Sequence, residues 1–311
     1  LSLFFTLRAM IKAGIAGAGS SVAGELIRIL VNHPEVELVR MCAPEFSGRG
    51  VSSVHHGLIG ELDKDFSDHI VPEELDVLFL CASRDESVSL TDRIDSLGLT
   101  DLRIVDLSGG AYGKPDFVCG VSEIFRKPMV RGTKRAYIPS AAAAVALISL
   151  YPLAANLLLS QDIEIKVSAP EGMDMTESSL QTESVLRSVQ NSFCGAVRFC
   201  HAPDGEDDSR GMRIRFSLPV AMPIEEIVRL YEGIYDDHNF TYLSSRRLDK
   251  REAAGTHKCL ISLMMPEPGR FEADAVADAH MRGGAGDAVH AMNLLFGLHE
   301  RTGLTLKASH F

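Results

Sequence analysis

The stretch Ile11–Leu30 constrains the fold of this chain most, because it reads as a buried strand, a glycine turn and a helix. A short apolar run leads into the turn, and apolar residues then recur at the spacing of a helix packed on a sheet: Ala23, Leu26, Ile27 and Leu30. A pyrophosphate reaches the first N–H groups of such a helix only where no side chain blocks it, and the helix dipole favours its charge. The stretch therefore predicts a dinucleotide site. The alternative is an ordinary strand–turn–helix that binds no ligand.

The cofactor contacts expected at this turn are Gly14, Gly17, Ala18, Gly19, Ser20 and Ser21. Ser20 stands where a third glycine of the pattern is usual. The loop after the next strand normally selects the cofactor, since an acidic residue there binds a ribose hydroxyl of NAD and an arginine accepts the 2′-phosphate of NADP. Glu45 favours NAD, whereas Ser47 and Arg49 are placed to meet a phosphate. The sequence predicts NADP or NAD and leaves the preference open.

Composition and charge exclude several classes of protein. The 311 residues suit two domains, and no apolar run reaches the ~18 residues that a membrane span needs. A net charge of −11 argues against a nucleic-acid surface. Six cysteines without C-x-x-C spacing indicate reduced thiols in a cytoplasmic protein, not a disulfide scaffold or zinc site. His55 and His56 have no third ligand nearby and are expected at the surface, so we expect no metal site. From the net charge and the short apolar runs we also expect no membrane or nucleic-acid partner.

Strands and helical stretches alternate through the first part of the chain, which predicts an α/β protein with a Rossmann-type, doubly wound parallel sheet. From about Ile163 the strands are more widely spaced, which indicates a second α+β domain. Arg282–Gly286 then opens an apolar helix that we expect to return to the first domain. The predicted division is residues 10–140 plus 282–311 for the dinucleotide-binding domain, 141–281 for the substrate and dimerisation domain, and 1–9 as an extension before Met10.

These landmarks together resemble the N-acetyl-γ-glutamyl-phosphate reductases, in the aspartate-semialdehyde dehydrogenase-like group. The most specific matching stretch is Arg282–Leu298, in which a glycine turn opens a helix that carries Met292-Asn293. Other matching stretches are Gly14–Ala18, Gly24–Leu30, Asn32–Glu37, Val105–Ser108, Cys119–Arg126, and Gly255-Thr256 with Cys259. The resemblance covers nearly the whole chain after Met10.

The resemblance implies an oxidoreductase of arginine biosynthesis that uses NADPH to reduce a small acyl phosphate, in a homo-oligomer. A cysteine thiolate first displaces phosphate to form a thioester, and a histidine gives acid–base help. The family's cysteine begins the helix after a strand, and here that position is Ala141, so the nucleophile is absent. His201 is the candidate acid–base residue. The resemblance adds four cofactor contacts: Ser108, Gly283, Gly286 and Asn293.

Other departures from the family pattern also fall at its active site. The arginine expected after Val105–Ser108 is missing from Gly109–Gly113, Pro44 replaces the arginine after the second strand, and the chain is shorter after His201.

Three functions follow as hypotheses. They are an active acyl-phosphate reductase in which Cys200 replaces the missing thiol, a non-catalytic paralogue that binds a nucleotide or metabolite, and a nicotinamide-dependent reductase of a free carbonyl with His201 as proton donor.

Overall fold

A computed structural model describes residues 9–169, 174–202 and 210–308. The predicted extension, apart from Ala9, lies outside these ranges. So do Pro203 and Asp204, which carry part of the resemblance around His201. Within the described ranges the chain forms two six-stranded sheets with helices packed on them.

The first sheet is built by a strand–helix alternation. Its elements are β1 (Ile11–Ala16), α1 (Ser21–Leu30), β2 (Val36–Cys42), β3 (Val77–Leu80), α2 (Arg84–Ser96), β4 (Arg103–Asp106), β5 (Val118–Cys119), α3 (Ser122–Val130) and β6 (Arg135–Tyr137). The strand order is β2-β1-β3-β4-β6-β5, and every pairing is parallel. Such strands lie between two helical layers and are apolar on both faces.

Helices cover both faces of this sheet, as β3 shows. Leu78 and Leu80 belong to the apolar cluster that contains α4 (Ala141–Ala155), whereas Val77 and Phe79 belong to the cluster that contains α1. Successive side chains of a strand point to opposite faces, so each face of β3 packs under a different helical layer. The predicted Rossmann-type doubly wound sheet is confirmed.

The second sheet follows α4 and is mixed. The remaining elements are β7 (Ile163–Ser168), α5 (Met175–Val189), β8 (Val197–His201), β9 (Gly211–Pro219), α6 (Ile224–Tyr235), β10 (Thr241–Ser244), β11 (Cys259–Glu267), β12 (Arg270–Asp278) and α7 (Ala285–Leu295). The strand order is β10-β11-β12-β9-β7-β8. This sheet and its helices confirm the predicted second α+β unit.

The helix α4 joins the two sheets through one core. It is apolar around its whole circumference and almost completely buried, as a helix enclosed on all sides must be. Its apolar cluster includes Leu80 and Ile104 of the first sheet and Ile165 and Ile214 of the second. The first turn of α4 therefore lies where the two units meet.

The last helix packs against the first sheet. Ala288, Val289 and Met292 are buried in the cluster that contains Ile15 of β1 and Leu26 of α1. The residue limits that we predicted for the two domains stay a prediction. Among the described residues, no helix combines the length and apolarity required to cross a bilayer.

Candidate functional site

The glycine turn after β1 is pressed against the segment that follows β3. Gly17 has φ +74°, and a Cβ built on it would lie 2.5 Å from the main-chain carbonyl carbon of Cys81. Both the backbone conformation and the close approach of two main chains exclude a side chain at this position. The turn is therefore held in one shape by its neighbour in the sheet.

Ser20 closes the turn and caps α1. Its Oγ donates to the Gly17 carbonyl (2.9 Å) and accepts from the N–H of Ala23 (3.4 Å). The first N–H groups of a helix have no acceptor within the helix, and in α1 these groups belong to Ser21 and Val22. Ser21 is exposed. These donors at the positive end of α1 suit a pyrophosphate.

A cleft of about 570 Å³ opens above this turn, at the carboxyl ends of β1, β2 and β3. This is where open α/β sheets bind their ligands. The lining comprises Ala16, Gly17, Gly19, Ser20, Cys42, Pro44, Glu45, Phe46, His69, Ile70, Cys81, Ala82, Ser83, Glu86, Leu90 and Arg93. The predicted turn residues Gly17, Gly19 and Ser20 are thus brought together in one cleft with Glu45.

Glu45, which favours NAD, lines the cleft, and Arg49, which favours NADP, lies beside a residue that lines it. Glu45 Oε1 lies 2.9 Å from the position that a Cβ of Gly19 would take, so the carboxylate reaches the turn itself. The guanidinium of Arg49 lies 5.3 Å from the ring centre of Phe46, which lines the same cleft. An acid at the turn suits a free ribose hydroxyl, and a cation beside it suits a phosphate. The preference between NAD and NADP stays open.

Gly14 lies outside the turn. It is inside β1, paired with Arg40 and Leu78, and a Cβ there would enter the side chain of Leu75. The absence of a side chain at Gly14 makes room for the apolar core, and its contact with a cofactor stays a prediction. Only the glycines at the carboxyl end of β1 face the cleft.

His55 supports the turn from below, which corrects its expected place at the surface. Its ring is half-buried, its Nε2 lies 2.7 Å from the carbonyl oxygen of Ala18, and it packs against Gly24 of α1. The sequence gives no sign of this contact, because 37 residues separate the two partners.

The turn after β4 is organised by a buried carboxylate. Asp106 is fully buried and accepts from the N–H of Ser108 (3.0 Å), from its Oγ–H, and from the N–H of Ala111 (2.8 Å). The Ser108 Oγ also accepts from the N–H of Gly110 (3.1 Å). Ser108 therefore shapes this turn, and its contact with a cofactor stays a prediction.

The first turn of α4 holds the position of the expected nucleophile. Ser140 is the N-cap: its Oγ accepts from the N–H of Ala143 and shares a 2.7 Å hydrogen bond with the Oγ of Ser178. The Ser140 N–H donates to the Oε1 of Gln181 (2.8 Å). Ala141 follows as the first helical residue and is buried. Its methyl group offers no lone pair, and the nearest hydroxyl is committed to the cap.

Gly283 closes over this turn. It has φ +65°, and a Cβ on it would lie 2.5 Å from the main-chain carbonyl carbon of Ser140. Its N–H donates to the Oδ2 of Asp287 (2.6 Å). Of the glycines predicted around α7, Gly283 is the one that reaches the start of α4.

Gly286 and Asn293 do not face the cleft. A Cβ on Gly286 would lie 2.5 Å from the Nδ1 of His257, so this glycine gives the imidazole room. Asn293 is fully buried, its Nδ2 donates to the carbonyl oxygens of Glu300 and Thr302, and its Oδ1 lies 3.1 Å from the Nε2 of His33. Asn293 thus fixes the segment after α7, and its contact with a cofactor stays a prediction.

His201 and Cys200 lie on opposite faces of β8. Val197 and Phe199 are buried on the helix-covered face, and the alternation of a strand places His201 on that side and Cys200 on the other, opposite Lys166 of β7. Both residues are exposed. Cys200 therefore points away from the face of the second sheet that packs on α4, which argues against its replacing the missing thiol.

Burial raises the pKa of each of the four buried thiols, Cys42, Cys81, Cys119 and Cys259. The first three lie in or directly after strands of the first sheet, whereas Cys259 begins β11 of the second. Cys42 and Cys81 line the cleft. Cys119 is paired in the sheet with Tyr137, just before Ser140, and its pKa is raised to about 12. A thiol of that pKa is protonated near neutral pH and is a poor nucleophile.

The comparisons with known proteins agree with this geometry. Residues 12–131 match the model of the semialdehyde dehydrogenase NAD-binding domain. N-acetyl-gamma-glutamyl-phosphate reductases from Bacteroides fragilis and Phocaeicola vulgatus are 32% and 31% identical to this chain. Each of the two alignments covers 97% of this chain and 100% of the relative.

Solved structures share the fold. An aspartate semialdehyde dehydrogenase from Candida albicans, solved with NADP, superposes with a TM-score of 0.70 at 14% identity, covering 93% of this chain and 99% of that one. A probable aspartate-semialdehyde dehydrogenase from Pseudomonas aeruginosa gives 0.71 at 15% identity, covering 92% and 98%. The glycine turn, the two sheets and the full-length similarity together show that this chain belongs to the N-acetyl-γ-glutamyl-phosphate reductase family.

Proposed function

We propose that this chain binds NAD or NADP in the cleft above the glycine turn and has impaired or lost acyl-phosphate reduction. The observation that carries the proposal is Ala141 at the first position of α4, where the thiol is expected. The supporting features are the free N–H groups of α1, the close fit of Gly17 and the placement of Glu45 in the cleft.

The loss of the thiol has a large expected cost. The relatives are named as reductases of N-acetyl-γ-glutamyl phosphate, and a thioester route splits that reduction into two easier steps. Without the thiolate, hydride has to attack the acyl phosphate directly. Removing a covalent nucleophile costs roughly 10⁴ to 10⁶ in rate in well-studied hydrolases. We therefore expect turnover too slow to serve arginine biosynthesis.

His201 leaves one alternative reaction open. It is exposed at the end of β8, on the same strand face as Phe199. Reduction of a free aldehyde or ketone needs a hydride and a proton donor but no thiolate, so His201 is the candidate donor for that reaction. The substrate under either proposal is a small molecule.

Two measurements test the proposal. Titration of the purified chain with NADPH and with NADH should give saturable binding, and NADPH oxidation with N-acetyl-γ-glutamyl phosphate should stay at background. Oxidation that depends on acyl phosphate and disappears in Cys200→Ser would refute the loss of activity and establish a relocated thiol. Failure of both cofactors to bind would refute the cofactor site.

The variant Ala141→Cys tests the role of the missing thiol. It places a thiol at the positive end of α4, where thiolates are stabilised. We expect little recovery, because the arginine expected after Ser108 is also absent. Ser140→Ala serves as the control, since it removes the nearby hydroxyl without adding a thiol. Recovery to an ordinary enzymatic rate would show that the rest of the active site is intact.

We also propose a homo-oligomer and a cytoplasmic location. The oligomer rests on the family alone, and light scattering after size exclusion tests it. The location rests on the six free cysteines, since reduced thiols persist in a reducing compartment.

A further inference from the structure

Three buried side chains meet at the junction of the second sheet with α7. They are His257, which lies just before β11, and Asp287 and His290 in α7. All three are at most 1% exposed. One ligand atom from each lies within 4.8 Å of those from the other two. The sequence conceals this cluster, because 30 residues separate His257 from Asp287.

The separations are long for hydrogen bonds. His257 Nε2 lies 3.3 Å from His290 Nδ1 and 3.4 Å from Asp287 Oδ1, whereas N–H···O hydrogen bonds centre near about 2.9–3.0 Å. Ligands bound to Zn²⁺ at about 2.0–2.1 Å in a tetrahedron lie about 3.3–3.4 Å from one another. The two measured distances match the edges of that tetrahedron.

The surrounding contacts aim lone pairs into the cluster. His290 Nε2 lies 2.8 Å from Glu300 Oε2. Arg126 pairs with Glu300 at 2.7 Å, as expected for a carboxylate. Glu300 accepts a hydrogen bond from the Nε2–H of His290, and the Nδ1 of His290, which then carries the lone pair, lies 3.3 Å from the Nε2 of His257. A carboxylate behind a ligating histidine is the usual support of a zinc ligand.

Contacts with neighbouring residues also fix the side chains of His257 and Asp287. The His257 ring packs edge-on against Phe240, with the two ring centres 4.7 Å apart. Its Nδ1 has no hydrogen-bond partner among the described residues and lies against Gly286. Asp287 Oδ2 accepts from the N–H of Gly283 (2.6 Å), and Oδ1 accepts from Arg282 (3.1 Å), which leaves Oδ1 a further lone pair.

The charged side chains around the cluster include more acids than arginines, which favours binding of a cation. Arg282 is paired with Glu123 (2.7 Å), and Arg126 with Glu300 (2.7 Å), so two positive charges are each balanced by one carboxylate. Asp287 is a third acidic side chain, and Arg282 contacts it as well (3.1 Å). These five side chains are two arginines and three acids, so the acidic groups exceed the guanidinium groups by one.

We propose that His257, Asp287 and His290 bind one Zn²⁺ ion, with water as the fourth ligand. Imidazole and carboxylate are ligands that Zn²⁺ accepts. His257 also lines a cavity of about 400 Å³, together with Phe240 and Lys258. The ion stabilises α7. Because the N–H of Gly283 donates to Asp287, the ion also stabilises the turn that covers Ala141.

The test uses the purified full-length chain, stripped with chelator and loaded with Zn²⁺ alone. After dialysis, elemental analysis should find one zinc per chain, and zinc at about 100 times Kd should raise Tm by about 5 °C. His257→Gln and His290→Gln should lose both effects. His56→Gln, which changes an exposed histidine, is the matched control and should keep them. Equal zinc retention by all variants, or none by the wild type, would overturn the proposal.

Two further measurements apply if a histidine variant fails to fold or if zinc binds to exposed thiols instead of this cluster. Cys194 and Cys200 are exposed, and the double serine variant should still bind one ion. Co²⁺ in place of zinc should show the strong visible absorption of a four-coordinate site and no thiolate charge-transfer band. A thiolate band in the wild type, or loss of the ion in the double serine variant, would show that the ion is bound elsewhere.

Discussion

Gly17→Ala tests whether close approach of two main chains holds the cofactor turn in place. Gly17 has φ +74°, and a left-handed backbone costs a residue with a side chain about 1–2 kcal/mol. The added methyl group would also lie 2.5 Å from the Cα of Ala82 and the carbonyl carbon of Cys81. Main-chain atoms cannot rotate away, and overpacking of this kind costs about 1–3 kcal/mol. The expected loss in the free energy of unfolding is therefore about 2–5 kcal/mol.

Gly48→Ala is the matched control. Gly48 has the same φ of +74°, but nothing lies within 4 Å of the position that its Cβ would take. This variant should lose only the conformational part, about 1–2 kcal/mol. Urea unfolding at equal m-values gives both losses, and their difference isolates the steric contact.

Binding distinguishes the two variants further. Gly17→Ala should weaken NADPH and NADH together, because the methyl group displaces the turn that sets the N–H groups of α1, whereas Gly48→Ala should bind both normally. Equal destabilisation of the two variants would refute the steric argument. Normal binding by a folded Gly17→Ala protein would show that the cofactor does not depend on this turn.

Three further predictions concern stability. Burial acts to raise the pKa of Glu25, but hydrogen bonds from two arginines outweigh this and lower it to about 2, so its contribution is present above about pH 4.5 and is lost as pH falls through about 2. Glu25→Gln should flatten that part of the pH profile of unfolding, and an unchanged slope would contradict the assignment. Arg282→Met leaves Glu123 buried without its 2.7 Å partner and should cost about 3–5 kcal/mol in urea unfolding; a loss below about 1 kcal/mol would contradict this. Tyr231→Phe keeps the ring but removes a buried 2.6 Å hydrogen bond to a carbonyl of α4, and should lower the free energy of unfolding by about 1–2 kcal/mol, whereas no loss would show that the bond contributes nothing.

Much of the fold could be predicted because its signals are local. The fold is predicted from the apolar spacing of α1, the glycines after β1 and the alternation of strands and helices. Each of these signals is formed by residues that are close in sequence. Such patterns follow from the periods of helix and strand, which need no knowledge of the rest of the chain. The alanine at the start of α4 is an equally local signal, because the residues around Ala141 predict the helix start.

The sequence by itself determined a Rossmann-type unit, a glycine turn that suits a dinucleotide, and a helix that begins with alanine in place of cysteine. The tertiary structure decided which of these residues share a site. It placed Gly14 in the core and turned Cys200 to the far face of its sheet. It also brought His257 to His290 from 33 residues away. The reason is physical: strand register and helix packing set such contacts, and both depend on the whole fold.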